Sequence, residues 1–323
     1  MKRRQFLALS MMMALAKEVR AMTISRRTGL VLDERFSQHQ INQAHPESPA
    51  RYQAITEQLQ EHNIVNSVSI IAPKKDSEKW LTLVHSQQHI DSIKARNLTI
   101  HQHALLATAG VLASIDAVFL DEVDNAFCAS RPPGHHAHNE GKEEGFCYYN
   151  HVAIAVRYAQ KQYGVKKVLI VDWDYHHGNG TEWAFYSDPD VLYFSTHDMF
   201  AYPGTGSPSK KGEGAGEGFN INVHLDCGAT DNDITQAFKE KLLPVIDDFS
   251  PELILISAGF DSRQDDLLGC HHITDHGFVE LTEIIKAIAD KHCGGRIISV
   301  LEGGYNIQGN ASAVTAQIKS LMI

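Results

Sequence analysis

The chain has no excess of basic residues and no paired-cysteine motif. Its 323 residues contain 29 Lys and Arg against 39 Asp and Glu, which gives a formal net charge of -10 at pH 7. Nucleic-acid binding relies on a basic surface that pairs with phosphates, so we expect no nucleic-acid partner. The cysteines are scattered, odd in number and without a C-x-x-C pair, which argues against a disulfide framework. These cysteines are Cys128, Cys147, Cys227, Cys270 and Cys293.

Internal repeats, low-complexity segments and domain linkers are also missing, and no segment after the N-terminus is predicted to cross a membrane. The dinucleotide fingerprint G-x-G-x-x-G is absent, because residues 212–218 have glycine at every second position and precede a strand-like segment instead of a helix. We interpret that stretch as a flexible lip. The composition, 43% hydrophobic and 21% charged, fits one α/β domain with a sizeable core.

The first 21 residues have the parts of a secretory signal peptide. A basic start that includes Arg3 and Arg4 is followed by the short apolar run 7–16, and Val19 and Ala21 stand at the -3 and -1 positions of a cleavage site. The order Arg-Arg-x-Phe-Leu is typical of a twin-arginine signal. We predict a signal peptide at residues 1–21 and a periplasmic or exported protein. An amphipathic N-terminal helix, or a true start at Met22, would leave the protein cytoplasmic.

Ionisable residues follow a short apolar segment in the middle of the chain. Residues 168–171 read Val-Leu-Ile-Val, and Asp172, Asp174 and His176 come directly after them at a spacing of two. That spacing places their side chains on one side of an extended segment. Ligands bind at the carboxyl ends of parallel strands, and carboxylates with imidazole are typical metal ligands. The alternative is that the two aspartates cap a helix and the histidines are surface residues.

Three further strand-like segments end in ionisable or hydroxyl side chains. The alternation of strands and helices predicts a mostly parallel sheet with helices on both faces. The carboxyl ends of its strands would then share one edge, and their side chains would converge on a hydrolytic metal site. The segments are 125–129, 252–258 and 296–301, and they lead to His135 and His136, to Asp261 and to Tyr305.

With these motifs, the sequence resembles the zinc-dependent histone deacetylase family, and within it the class II branch and the bacterial histone-deacetylase-like amidohydrolases. The resemblance runs from about Thr28 to the C-terminus and marks residues 22–323 as one catalytic domain. It implies the arginase/deacetylase α/β fold and hydrolysis of the amide of acetyl-lysine. The motifs that carry it are Arg131-Pro-Pro-Gly-His-His136, Asp172-x-Asp-x-His-His-Gly-Asn179, Ser257-Ala-Gly-Phe-Asp261 and Glu302-Gly-Gly-Tyr305.

The resemblance also implies a role for each matching residue. One catalytic zinc ion would be bound by Asp174, His176 and Asp261. The catalytic group would be the tandem histidines His135 and His136, their partners Asp172 and Asn179, and the transition-state tyrosine Tyr305. The acyl-lysine tunnel would be lined by Phe146, Tyr202, Leu268 and Gly303.

Structural potassium is a further implication of the resemblance. One site would use Asp172, Asp174, His176, Ser195 and Thr196, largely through carbonyl oxygens. A second site would fall near Phe185, Asp188, Val191 and Phe219. In the tunnel, the family usually has Phe where this chain has Tyr202, a departure that adds a hydroxyl group.

Asn179 predicts the charge of one histidine. A neutral amide stabilises an imidazolium less than a carboxylate does, so we expect His136 to stay neutral at neutral pH and to act as a base. The pair His85 and His89, four residues apart, could bind a metal, but without a nearby third ligand we expect it to be structural.

Several alternatives remain open at this point. An arginase-type ureohydrolase would need two manganese ions and the order Asp-x-His-x-Asp, whereas this chain has Asp-x-Asp-x-His. A non-catalytic acyl-lysine binder would have lost one of the catalytic residues. Acetylpolyamine selectivity would need an acidic residue at the tunnel mouth, where this chain has Leu268. No Asp lies between Asp91 and Asp116, where the family has an acid that clasps the peptide, so small acetylated amines stay possible, as does a host protein if the chain is exported.

Overall fold

The computed structural model describes residues 25–323, so the predicted signal peptide lies outside the described residues. Eight strands, each parallel to its neighbours, form the sheet at the centre of the fold. They are β1 (Thr28–Val31), β2 (Ser69–Ile70), β3 (Asn125–Cys128), β4 (Val168–Asp172), β5 (Val191–His197), β6 (Asn220–His224), β7 (Leu253–Ala258) and β8 (Ile297–Leu301). Their order across the sheet is β2-β1-β3-β8-β7-β4-β5-β6.

The central strands are buried along their whole length. Every residue of β4, β5, β7 and β8 is buried, as expected for parallel strands covered on both faces, whose sequences are continuous apolar runs. The register places Asp172, the last residue of β4, opposite Ser195 of β5 and Ser257 of β7. The polar segments that follow these strands therefore start at one edge of the sheet.

Helices cover both faces of the sheet. They are α1 (Pro49–Glu61), α2 (Gln87–Arg96), α3 (Leu98–Phe119), α4 (His151–Tyr163), α5 (Asn179–Phe185), α6 (Asp231–Ala237), α7 (Leu243–Phe249), α8 (Asp275–His292) and α9 (Ile307–Leu321). Residues of α1, α6, α7, α8 and α9 form one apolar core against the sheet, and residues of α2, α3 and α4 form a second core on the other face. The predicted α/β class is confirmed.

Helix α3 begins at Leu98. The Asn97 side chain accepts a hydrogen bond from the Ile100 amide at 3.1 Å and caps the helix. Among the described residues, α3 is the one helix that is long and apolar enough to cross a membrane. The apolar stretch of α3 is 67% buried inside the fold, as in the core helix of a globular domain.

Proline interrupts the helical region 231–249. The structure has a π-helical segment at Phe238–Leu242 and then α7, with Pro244 in its first turn. Proline has no amide hydrogen and its ring clashes with the carbonyl four residues earlier. The break in α-helical hydrogen bonding therefore lies on the N-terminal side of the proline.

A 3-10 helix at Glu78–Leu83 precedes α2.

One pair of cysteines is joined, although the sequence argued against a disulfide framework. Cys227 and Cys270 form a disulfide, whereas Cys128, Cys147 and Cys293 are free and buried. The pairing joins the β6–α6 and β7–α8 loops across 43 residues of sequence, a tertiary contact that cysteine spacing does not disclose.

Candidate active site

Four neighbouring strands bring the sequence motifs to one edge of the sheet. Strands β3, β8, β7 and β4 are adjacent in that order, and each is followed by one of the motifs. The segment after β4 contains Asp174 and His176, and the segment after β7 contains Asp261. Side chains 85 residues apart in sequence therefore meet, since the His176 and Asp261 side chains contact each other.

Asp174, His176 and Asp261 form a compact group of possible metal ligands, with one ligand atom from each lying within 4.8 Å of the others. His176 Nδ1 is 3.2 Å from Asp174 Oδ1 and 3.0 Å from Asp261 Oδ2. Backbone amides orient the two carboxylates: the Gly303 amide donates to Asp174 at 2.9 Å and the Tyr175 amide donates to Asp261 at 2.8 Å. The ligand geometry is thus held by the surrounding backbone.

The chemistry of this group fits a divalent cation such as zinc. Two carboxylates lie buried side by side, and burial together with the charge of Asp174 raises the pKa of Asp261. Such a pair is costly without a compensating positive charge. Two oxygen donors and one nitrogen donor also match a catalytic zinc site, which keeps a position open for water. Side chains at Gly259 or Gly303 would collide with these carboxylates, so glycine is required at both positions.

The tandem histidines lie beside this group and have different partners. His135 Nδ1 is 3.1 Å from Asp172 Oδ2, and His136 Nδ1 is 2.7 Å from Asn179 Oδ1. The two rings are 4.0 Å apart between centroids. Tyr193, which the motifs did not point to, donates its hydroxyl to Asp172 at 3.1 Å. Each histidine therefore has a fixed orientation, one set by a carboxylate and the other by a neutral amide.

The two histidines are held in different protonation states. Burial alone would lower the pKa of His135, but the charges of Asp174 and Asp172 outweigh burial and raise it well above the ordinary value. Burial and the positive charge of His135 lower the pKa of His136 well below the ordinary value. At neutral pH, His136 is therefore neutral and able to accept a proton.

Glu302 is a residue of the site to which the sequence assigned no role. It is fully buried, and its Oε2 accepts hydrogen bonds from the amides of Gly134 at 2.6 Å and His135 at 3.2 Å. Burial raises its pKa to about 7. This carboxylate holds the backbone of the turn that carries the histidines. The signal in the sequence is a glutamate at the end of a buried strand, where an ionisable residue needs a partner.

A buried ion pair supports the same turn from the other side. Arg131 donates to Glu47 through Nε at 2.7 Å and through Nη2 at 2.5 Å. Arg51 also contacts Glu47, at 3.2 Å, and donates to the carbonyls of Glu302 and Gly304, each at 2.6 Å. All three ionic side chains are fully buried. The network links α1 to the segments that carry the histidines and Tyr305.

A cavity of about 760 Å³ opens above the metal-ligand group. Phe146 and Tyr202 are part of its wall, and Leu268 lines it with 39% of its surface exposed. Phe146 has a positive φ of 68°, and its ring packs edge-on at 5.8 Å from that of Tyr305. Gly303 is not among the residues that line the cavity. Its amide contacts Asp174 in the ligand group, and its assignment to the tunnel wall stays a prediction.

The structure also gathers the residues predicted to hold potassium. In the first set, Asp172 is the register partner of Ser195, and the buried Thr196 hydroxyl has no hydrogen-bond partner among residues 25–323. In the second set, the carbonyls of Phe185, Asp188 and Phe219 each accept one backbone hydrogen bond, which leaves a second lone pair on each oxygen. Potassium binding at these positions stays a prediction.

His85 and His89 have structural partners, as expected. Their rings stack at 4.8 Å. His85 Nε2 accepts from the Asn150 amide at 2.8 Å, and His89 Nε2 is 2.8 Å from the Tyr148 carbonyl. A second group of possible ligands, formed by His135, Cys147 and Glu302, belongs to the site just described. Burial raises the pKa of Cys147 well above the ordinary value, so this thiol is protonated.

Comparison with known proteins agrees with this geometry. The model of the histone deacetylase domain matches residues 45–321. The chain belongs to the histone deacetylase family. It is 37% identical over 297 residues to a protein named "Probable deacetylase" from Archaeoglobus fulgidus, which covers 87% of this chain and 82% of the relative. The predicted family is confirmed.

Other members of the histone deacetylase family match over most of this chain but are longer. Histone deacetylase 15 of Arabidopsis thaliana is 36% identical, with 91% of this chain and 56% of the relative aligned. Histone deacetylase 7 of Homo sapiens is 34% identical, with 95% of this chain and 37% of the relative aligned. The chain therefore spans about half or less of the length of these two relatives.

Proposed function

We propose that this protein is a zinc-dependent deacetylase that hydrolyses the amide of acetyl-lysine in a peptide or protein, or that of a similar small acylated amine. The observation that carries the proposal is the placement of three groups around one cavity. These groups are the metal-ligand set, the histidine His136 with its neutral partner, and the phenol of Tyr305. Membership in the histone deacetylase family supports the same reaction class.

Asp174, His176 and Asp261 would hold the zinc ion. When bound, zinc polarises an amide carbonyl and lowers the pKa of a water molecule towards about 7. Two ionised carboxylates and one imidazole would balance the charge of this dication.

We also propose that potassium occupies the two predicted sites nearby. A separate proposal, based on the N-terminal sequence, is that the protein is exported.

His136 would act as the general base and then as the general acid. Its ring lies on the cavity wall, and burial keeps it neutral. It can therefore take a proton from the attacking water and deliver one to the amine that leaves. Asn179 holds Nδ1 of this ring, so Nε2 is the nitrogen that is free for proton transfer. Without that delivery the amine would leave as an unstable anion.

His135 and Tyr305 would stabilise charge and would take no part in the proton transfer by His136. His135 is paired with Asp172 and contributes a positive charge beside the reacting atoms. Burial raises the pKa of Tyr305 well above its ordinary value, so the phenol keeps its proton. Its hydroxyl group can therefore donate a hydrogen bond to the developing oxyanion. One such donor contributes on the order of 3 kcal/mol of transition-state stabilisation.

The cavity wall favours a long, unbranched acylated side chain. Phe146 and Tyr202 present aromatic surface to a methylene chain, and Leu268 at the mouth is apolar. A polyamine carries ammonium groups that would need an acid where Leu268 stands, which favours acetyl-lysine over acetylpolyamine. Glu143 and Glu144 also line the cavity, so an acetylated polyamine is the competing substrate that the test must include. The rival ureohydrolase would need two metals, whereas residues 25–323 contain a single group of possible ligands with two carboxylates.

The test compares substrates on the zinc-loaded protein. Acetate release would be measured with an acetyl-lysine peptide, an acetylated polyamine and free acetyl-lysine, with Tyr305→Phe as the matched control of low activity. We expect the peptide to have the highest kcat/KM and the variant to turn over every substrate about 10²- to 10³-fold more slowly. A higher kcat/KM on the polyamine would replace the substrate assignment. Binding of the peptide without acetate release would make the protein an acyl-lysine binder.

A further inference from the structure

The orientation of Tyr305 depends on its backbone. The residue lies in the connection between β8 and α9, which has no regular secondary structure from residue 302 to 306. Within the described part of the chain, the Tyr305 hydroxyl makes no hydrogen bond, although the side chain is 4% exposed. Its ring lies edge-on to that of Phe146 at 5.8 Å and against the Arg51 guanidinium at 5.0 Å, contacts that have little directional preference for the hydroxyl group. The direction of the phenol is therefore set by the loop that carries it.

One carboxylate binds the amide hydrogens of this loop. Asp266 Oδ2 accepts from the Tyr305 amide at 2.6 Å and from the Asn306 amide at 2.9 Å. Its other oxygen, Oδ1, accepts from the Leu268 amide at 2.9 Å. Hydrogen bonds from backbone amides to an ionised carboxylate are stronger than those between neutral groups. Asp266 therefore joins the tyrosine loop to the loop that carries Leu268 at the cavity mouth.

The neighbouring backbone anchors do not bind the Tyr305 amide. Asp174 binds the Gly303 amide at 2.9 Å, and Arg51 binds the Gly304 carbonyl at 2.6 Å. Gly304 has a φ of 121°, a backbone conformation that favours glycine. A local turn cap also does not explain the contact, because Asp266 reaches a segment 39 residues away.

We propose that Asp266 is a positioning residue that holds Tyr305 where its hydroxyl can donate to the developing oxyanion. The inference rests on the proposed deacetylase function for its kinetic consequence. Asp266 touches neither substrate nor metal ligand in this role, and it acts through the tyrosine backbone. Loss of the carboxylate frees the loop, so the phenol is correctly placed for a smaller fraction of the time.

The test combines variants at Asp266 with Tyr305→Phe. Asp266→Ala removes all three hydrogen bonds, and the isosteric Asp266→Asn keeps one oxygen acceptor. We expect kcat to fall on the order of ten- to a hundred-fold in the alanine variant and less in the asparagine variant, below the full loss of an oxyanion donor. KM should change little, since the interaction is made in the transition state. In the Tyr305→Phe background, Asp266→Ala should lower kcat by less than about two-fold.

Asp265→Asn is the matched control. Asp265 is exposed, and its side chain makes no hydrogen bond within residues 25–323. Its φ of 65° is a conformation that asparagine tolerates. We expect this variant to keep the kcat and KM of the wild type. Thermal unfolding of all variants separates a change in rate from a loss of the fold.

Hydrogen exchange gives a readout that does not need turnover. The amides of Tyr305 and Asn306 should exchange faster in both Asp266 variants than in the control, while those of β8 should not change. Unchanged exchange at residues 305 and 306 would overturn the inference, and so would an equal loss of kcat in the Tyr305→Phe background. Failure of both variants to fold would make Asp266 a purely structural residue. An inactive wild type would instead refute the proposed function.

Discussion

Replacement of Asn179 by Asp tests how the site controls the charge of its base. Asn179 Oδ1 is 2.7 Å from His136 Nδ1, so the variant would place a carboxylate at hydrogen-bond distance from the imidazole. An opposite charge at such a distance shifts a pKa by roughly one to three units towards the charged form. Each unit corresponds to about 1.4 kcal/mol. Burial lowers the pKa of His136 in the native protein, and the added carboxylate opposes that effect.

The sign of the kinetic change follows from the role of His136 as a base. Only neutral His136 accepts a proton, so activity is lost as the pH falls below its pKa. A raised pKa moves that loss to higher pH, and the acid limb of the kcat/KM profile should shift upward by roughly one to three pH units. Asn179→Ser, which removes the hydrogen bond without adding charge, serves as the control and should not shift the limb upward. An unchanged acid limb in Asn179→Asp would refute the reasoning.

Three further predictions concern catalysis and stability. Tyr305→Phe should lower kcat by about 10²- to 10³-fold with little change in KM, as measured by steady-state acetate release, and retention of more than half the activity would contradict its role. Arg131→Met should lower the free energy of unfolding by about 3 kcal/mol in urea titrations, because it leaves the buried Glu47 with fewer partners, and an unchanged midpoint would contradict this. Burial lowers the pKa of His85 and of His197 to about 3. Below about pH 6.5 the unfolded chain therefore binds protons at these histidines that the folded chain does not bind. The free energy of unfolding should fall there by about 1.4 kcal/mol per histidine per pH unit. Equal urea midpoints at pH 7 and pH 5 would count against it.

The convergence of the site was predictable because it depends on strand ends. Apolar runs that stop at polar residues mark the carboxyl ends of buried parallel strands. Once β3, β4, β7 and β8 are recognised, their following residues must meet at one edge. The family resemblance was carried by the same four motifs, and the domain match confirms it.

The supporting contacts were not predictable in the same way. Glu302 and Asp266 act on backbone amides of other segments, and such contacts leave no periodic pattern in the sequence. Pairing of Arg131 with Glu47 spans 84 residues, and the Cys227–Cys270 link spans 43.

The proposed function requires that Asp174, His176 and Asp261 hold one zinc ion on which deacetylation depends. The most direct measurement is a zinc titration of chelator-treated protein in which bound metal and acetate release from an acetyl-lysine peptide are followed together. Activity should return in proportion to bound zinc and saturate at one ion per chain, and the Asp261→Asn variant should bind zinc more weakly and should not recover activity. Full turnover by the metal-free protein, or recovery only with two ions per chain, would contradict it.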